Sequence, residues 1–152
     1  MPSFRTTRRV RHDAADMFDL VADVERYPEF VPLCEKLAVR SREAAGEGKS
    51  ILVADMTVAY RIFRETFASK VTLDRPALTI LVEYLDGPFR SLQNRWTFKP
   101  AGERVSEVEF FIDYEFHSRA LGLLMGSVFE AAFRRFAEAF ERRADKVYGA
   151  RV

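Results

Sequence analysis

RALGLLMGSVFEAAFRRFAEAFERRADKVY (Arg119–Tyr148) is the stretch that decides the fold. Leu121, Met125, Phe129, Ala132, Phe133, Phe136, Phe140, Ala144 and Val147 recur at steps of three and four, which places them on one helical face. Glu130, Arg134, Glu138, Arg142, Asp145 and Lys146 occupy the opposite face. Glu130 with Arg134, and Glu138 with Arg142, are i, i+4 pairs in the favourable order. Ser118 is placed to cap the start and Gly149 to stop the end. The spacing predicts one amphipathic helix of roughly 45 Å at about 1.5 Å per residue. So long a phenylalanine stripe needs a large apolar partner, and the rest of the chain reads as a sheet able to receive it.

Working back from that helix, the pattern changes to period two. In Val105–Phe116, Val108, Phe110, Ile112, Tyr114 and Phe116 share one face, with Glu107, Glu109, Asp113 and Glu115 on the other. Ser91–Phe98 presents Leu92, Asn94, Trp96 and Phe98 together. Leu78, Ile80, Val82 and Tyr84 mark another strand, ended by Asp86-Gly87-Pro88. Arg61–Leu73 carries Phe63, Phe67, Val71 and Leu73 on one side. Leu37–Arg42 and Lys49–Tyr60 flank an AAGEG hairpin loop. One-sided alternation implies an antiparallel sheet with one wet face. Nearer the start, Phe4–Val10 reads as a short strand with Arg5, Arg8, Arg9 and Arg11 as a basic patch, either a charged edge or an anionic contact. Asp13 then caps a short helix with Met17, Phe18, Leu20, Val21 and Val24 inward. Pro28 and Pro32 oppose a regular helix through ERYPEFVPLCE. Its Tyr27, Phe30, Val31 and Leu33 either plug the sheet or line a cavity mouth. The expected fold class is α+β, a helix-grip domain over residues 1–152: a curved antiparallel sheet wrapped around the long C-terminal helix.

Composition narrows the function. Lys and Arg total 24 against 23 Asp and Glu, so net charge gives no drive toward DNA. Phenylalanine is abundant, 14 against one tryptophan, which suits a packed core or an apolar cavity. One cysteine excludes an internal disulfide and fits a reducing compartment. MPSFRTTRRVRHD has no apolar signal-peptide core, and no apolar run approaches the roughly 20 residues of a membrane span. A cytoplasmic protein, or one peripheral at the inner membrane, is expected.

No catalytic constellation emerges. His12 and His117 have no carboxylate or nucleophile at a telling spacing, and with one cysteine they suggest no metal site. Cys34 reads as a packed group rather than a nucleophile. A cavity argument remains. Asn94, Glu65, Tyr84 and Tyr114 interrupt inward apolar faces, and a buried polar group without a partner costs about 1–3 kcal/mol. Together they fit an apolar pocket with a few orienting groups. Gly122 and Gly126 thin one side of the helix, which admits either a closely packed sheet backbone, the favoured reading, or a ligand. Leu121, Leu123, Leu124 and Met125 cover more than one face, so at least one of Leu123 and Leu124 should point away from the sheet, toward a membrane or partner.

RYPEFVPLCE, GPFRSLQNRWTFKP and VEFFIDYEFHSRALGLLMGSVFEAAFRRFAEAFERRADKVYG resemble the coenzyme Q-binding START-domain family within the polyketide cyclase/dehydrase superfamily. The resemblance spans nearly the whole chain. It implies a deep apolar cavity, non-catalytic binding of ubiquinone or a polyprenyl quinone precursor, and support of respiratory electron transport. No cofactor or metal is implied beyond the quinone as ligand. Bacterial members are also labelled as a ribosome-association toxin, which implies a ribosomal subunit as partner. A cyclase or dehydratase enzyme is a third reading. For a quinone, the expected contacts are Phe63, Glu65, Phe67, Tyr84, Asn94, Trp96, Phe110, Tyr114, Met125, Phe129 and Phe133. Phe30, Leu121, Leu123 and Leu124 are the expected mouth, where a long tail would leave and touch a membrane transiently.

Overall fold

The computed structural model describes residues 3–149. Strand β1 (Ser3–Val10) is followed by helix α1 (Ala14–Ala22) and a 3-10 helix (Val24–Glu29). Six strands come next: β2 (Cys34–Ala44), β3 (Lys49–Tyr60), β4 (Phe63–Asp74), β5 (Thr79–Asp86), β6 (Phe89–Gly102) and β7 (Val105–Phe116). Helix α2 (Arg119–Tyr148) ends the described chain. The strands form one antiparallel sheet in the order β1-β7-β6-β5-β4-β3-β2. This is the expected helix-grip architecture.

Strict alternation on β7, which lies between edge strand β1 and β6, buries every second residue from Ser106 to Phe116. Its outward acids meet basic neighbours on both sides. Glu109 pairs with Lys99 of β6 at 2.6 Å, and Glu107 lies 3.9 Å from Arg9 of β1. The basic residues of β1 are thereby largely engaged. Arg8 bonds Glu141 of α2 at 2.6 Å, and Arg5 lies over the Phe111 ring.

Helix α2 crosses the concave face over β1 and β7. Met125, Phe129, Ala132, Phe133, Ala137, Phe140 and Ala144 are buried, whereas Val147 at the end of the expected stripe is exposed. Ser118 Oγ accepts the Leu121 N–H at 3.2 Å, and Gly149 stops the helix at φ 92°. Both designed-looking surface pairs form, Glu130–Arg134 at 2.8 Å and Glu138–Arg142. Phe140 is the anchor. Its ring centroid lies 5.0 Å from both Trp96 and Phe30, and 5.3 Å from Tyr27. Such aromatic pairs add about 0.5–1.5 kcal/mol each beyond area burial.

Three expectations change. The Asp13 side chain makes no capping bond, and α1 begins instead with its carbonyl accepting the Met17 N–H at 3.0 Å. Pro28 does not exclude every helical turn from its segment: it sits inside the 3-10 helix, which stops at Glu29, before Pro32. Close packing does not explain the two α2 glycines. A Cβ on Gly122 would meet Phe116 at an ordinary 3.7 Å, and one on Gly126 would meet nothing within 4 Å.

Candidate functional site

The side of α2 that faces away from β1 and β7 does not fill the sheet's curvature. Small residues on β3, β4 and β5 (Ala54, Val58, Ser69, Val71, Val82) leave a cavity of about 110 Å³ between them and the helix. Its remaining walls are aromatic: Phe67, Phe89, Trp96 and Phe110 from the sheet, Phe129, Phe133, Phe136 and Phe140 from α2. Tyr27, Val31, Pro32 and Leu33 close it alongside the helix, so this segment lines the cavity. Phe30 does not. It stacks edge-on against Phe140, with the Arg143 guanidinium over its other side.

Two polar side chains interrupt the wall. Asn94 on β6 is buried, and its Nδ2 donates to the Phe111 carbonyl of β7 at 2.8 Å. That bond fixes the amide's orientation and leaves Oδ1 free of it, as an acceptor at the wall. Ser69 on β4 is the second, also buried. Tyr27 is not a third, since its hydroxyl donates to the Val21 carbonyl and burial pushes its pKa upward.

Of the expected contacts, Phe67, Asn94, Trp96, Phe110, Phe129 and Phe133 line one cavity. Tyr114, Met125 and Phe63 stand behind the wall. Tyr114 packs on Phe133 at 5.2 Å, Met125 is buried, and Phe63 reaches Phe129 at 6.0 Å. Tyr84 is drawn aside because its hydroxyl accepts the Phe89 N–H across the Gly87 turn at 3.0 Å. Glu65 lies opposite Val58 on the sheet register but is exposed at the rim, outside the lining. Alternation could not distinguish it from Phe67, because the strand runs past the end of the cavity. Leu121 is half-buried, while Leu123 and Leu124 are both exposed and do not line the cavity. Ser69 escaped sequence reasoning although it sits at period two between Phe67 and Val71. Ile80, Val82 and Leu92 were legible as inward, but nothing in the sequence ranked them against the aromatic residues.

His12, His117 and Cys34 lie outside the cavity lining. His12 is buried, and its ring N–H donates to Asp145 Oδ1 at 2.7 Å. His117 is exposed at the turn into α2. Cys34 is buried, and desolvation pushes its thiol up to about 11. Glu29 is held below the usual carboxylate range by its bond to Arg143 and then by Arg26. Among the described residues there is no cluster of metal-ligating side chains, and no helix is long and apolar enough to cross a membrane.

An antiparallel sheet gripping one long helix over an apolar cavity defines a START-like helix-grip protein. Residues 10–141 match the model of the polyketide cyclase / dehydrase and lipid transport family, and the chain belongs to that family. It is 36% identical over 140 residues to the ribosome association toxin RatA of Vibrio cholerae, covering 92% of this chain and 93% of that one. It is 29% identical over 142 residues to the mitochondrial coenzyme Q-binding protein coq10 of Schizosaccharomyces pombe, covering 93% of this chain and 85% of that one. The solution structure of an 18 kDa protein from Caulobacter crescentus superposes with a TM-score of 0.81 at 33% identity, over 99% of this chain and 100% of that one. The Zhui aromatase/cyclase from Streptomyces sp. R1128 superposes at 0.80 with 18% identity, over 95% and 94% of the two chains, a likeness of fold alone.

Proposed function

We propose that this protein is a non-catalytic binder of ubiquinone or a polyprenyl quinone precursor, a carrier that supports respiratory electron transport. The observation that carries the reading is Asn94, a buried amide oriented by the Phe111 carbonyl on an otherwise apolar, aromatic wall. Its second N–H and the Ser69 hydroxyl suit the oxygens of a quinone, and Phe110, Phe129 and Phe133 suit its ring. The printed name of the S. pombe relative supports the same ligand class.

Size sets a condition. The cavity is about 110 Å³, whereas a cavity of about 150 Å³ accommodates benzene and ligand pockets usually measure about 300–1,000 Å³. A substituted quinone ring therefore enters only with expansion of the cavity. The helix is held unevenly for this. Its C-terminal half is tied by Arg8–Glu141, His12–Asp145 and Arg143–Glu29, while its N-terminal half rests on apolar contacts such as Phe129 with Phe63, Phe89 and Phe116. Opening at the N-terminal half is the smaller rearrangement. The polyprenyl tail then leaves through that opening.

The test is mass spectrometry of an organic extract from natively expressed protein, followed by titration with short-tailed quinone. Trp96 is the single tryptophan and lines the cavity, so its emission reports occupancy. Co-purifying quinone and saturable quenching are expected. An empty extract with no quenching rejects the reading.

A second reading is association with a ribosomal subunit, favoured by the higher identity to the V. cholerae toxin. The β1 arginines suit it less than their sequence suggests, because Arg8 and Arg9 face Glu141 and Glu107. Cosedimentation with a subunit at physiological salt, lost on Arg11→Glu, is the result that would favour it.

A further inference from the structure

The large exposed aliphatic side chains gather at one end of the molecule. Ile62 is fully exposed (101%), Leu123 is 81% and Leu124 69% exposed, and Leu85 is also exposed. Strand register brings their segments together. Phe116 at the end of β7 pairs with Phe89, so the β5–β6 turn and the start of α2 share one end of the sheet. Ala68 pairs with Asp86, so the first residues of β4 and the β3–β4 turn project beyond that same end. Val147 lies at the other end, beside Tyr148, whose hydroxyl bonds the Asp16 carbonyl.

Cations stand beside these side chains. Arg61 takes a left-handed conformation (φ 56°) in the β3–β4 turn, its guanidinium 5.3 Å from the centre of the Tyr60 ring, with Ile62 next in the chain. Arg119 opens α2 one turn before Leu123. Neither arginine has a carboxylate at ion-pair distance among the described residues, whereas Arg64 and Arg90 at this end are taken by Glu35 and Glu115. Glu65 and Asp86 are the other carboxylates here. Solvated aliphatic tips flanked by tyrosine and arginine form an interfacial pattern, apolar groups for the acyl boundary and cations for phosphates. They sit on three separate elements, the β3–β4 turn, the end of β5 and the start of α2, which suits a fluid surface better than a rigid protein partner needing about 800 Å² per side.

We propose that this end docks on an anionic phospholipid surface. Ile62, Leu123 and Leu124 enter between headgroups, and Arg61 and Arg119 pair with phosphates. The same end holds the Phe63–Phe129 contact, the apolar closure between the β3–β4 turn and α2. Docking there places the cavity's opening against the bilayer. Docking itself is independent of the cargo; only the purpose assigned to it rests on the quinone reading.

The test is sedimentation of the full chain with vesicles of phosphatidylcholine alone or mixed with phosphatidylglycerol. Binding to the phosphatidylglycerol vesicles, weakened by salt, is expected. Ile62→Glu combined with Leu124→Glu should lower partitioning about tenfold or more. Arg61→Glu combined with Arg119→Glu should remove the preference for phosphatidylglycerol. All four positions are on the rim, so urea midpoints and Trp96 quenching by short-tailed quinone should stay unchanged. No sedimentation of the wild type, or undiminished sedimentation of the aliphatic variant, overturns the inference. So does a wild-type dimer in analytical ultracentrifugation that this variant abolishes, because the patch would then meet a second copy. Vesicle binding without Trp96 quenching would reject the quinone reading and leave docking standing.

Discussion

His12 and Asp145 lie 133 residues apart and meet at 2.7 Å, joining the entrance of α1 to the last turn of α2. The His12 carbonyl is held in turn by Ser106 Oγ at 2.9 Å, on the fully buried start of β7. Three elements are locked at that one point, at the opposite end of α2 from its exposed leucines.

Removing that lock should cost stability without touching the cavity. His12→Ala is expected to lower unfolding free energy by about 1–3 kcal/mol, from a lost buried hydrogen bond and lost packing. Urea denaturation measures it, and Asp145→Asn should cost less because the amide still accepts a bond. An unchanged midpoint in His12→Ala would show that the lock carries no weight.

Asn94→Leu should separate orientation from burial. The leucine leaves the Phe111 carbonyl without this donor, costing about 1–3 kcal/mol. It also removes the polar group from the cavity wall. Quenching of Trp96 by quinone should weaken about tenfold, while an apolar probe of similar size should bind as before. Equal loss of both ligands would place the effect in packing alone.

The glycines should respond in opposite directions. Gly87 sits at φ 145°, and an added Cβ would fall 2.5 Å from Phe67 Cβ and 2.9 Å from its Cα. Backbone cannot yield there, so Gly87→Ala should destabilise by about 1–3 kcal/mol or more. Gly126→Ala meets open space, and helix propensity alone should stabilise by about 1 kcal/mol. Thermal melts of the two variants decide both.

Cys34 should resist alkylation. Burial raises its thiol to about 11 and thus keeps it protonated at neutral pH. Labelling by iodoacetamide should be slow in the native protein at pH 8, rise with pH until about 11, and become fast in urea. Rapid native labelling at pH 8 would contradict the buried placement.

Much of the fold was legible because it is written in short-range periodicity. The three- and four-residue steps from Leu121 to Ala144 specify a one-faced helix of known limits, and the alternation of β7 specifies a half-buried strand. Neither needs knowledge of what lies opposite. The strand pattern also placed Phe67, Asn94, Trp96 and Phe110 on one inward face correctly.

What periodicity does not contain is distance along that face and the competing partners of each polar atom. Glu65 and Phe67 share a phase, yet the strand outruns the cavity between them and only Phe67 is enclosed. Tyr84 and Asn94 were equal candidates, and a turn's free N–H claimed the Tyr84 hydroxyl. His12 had no carboxylate at a telling spacing in the sequence and found Asp145 across the fold. Local steric and hydrophobic preferences, which act between near neighbours in the chain, thus determined the elements and their buried faces from sequence alone. The tertiary structure decided the extent of the cavity, which polar groups reach its wall and which residues share the exposed end, because those depend on contacts between residues that only the folded sheet and helix bring together.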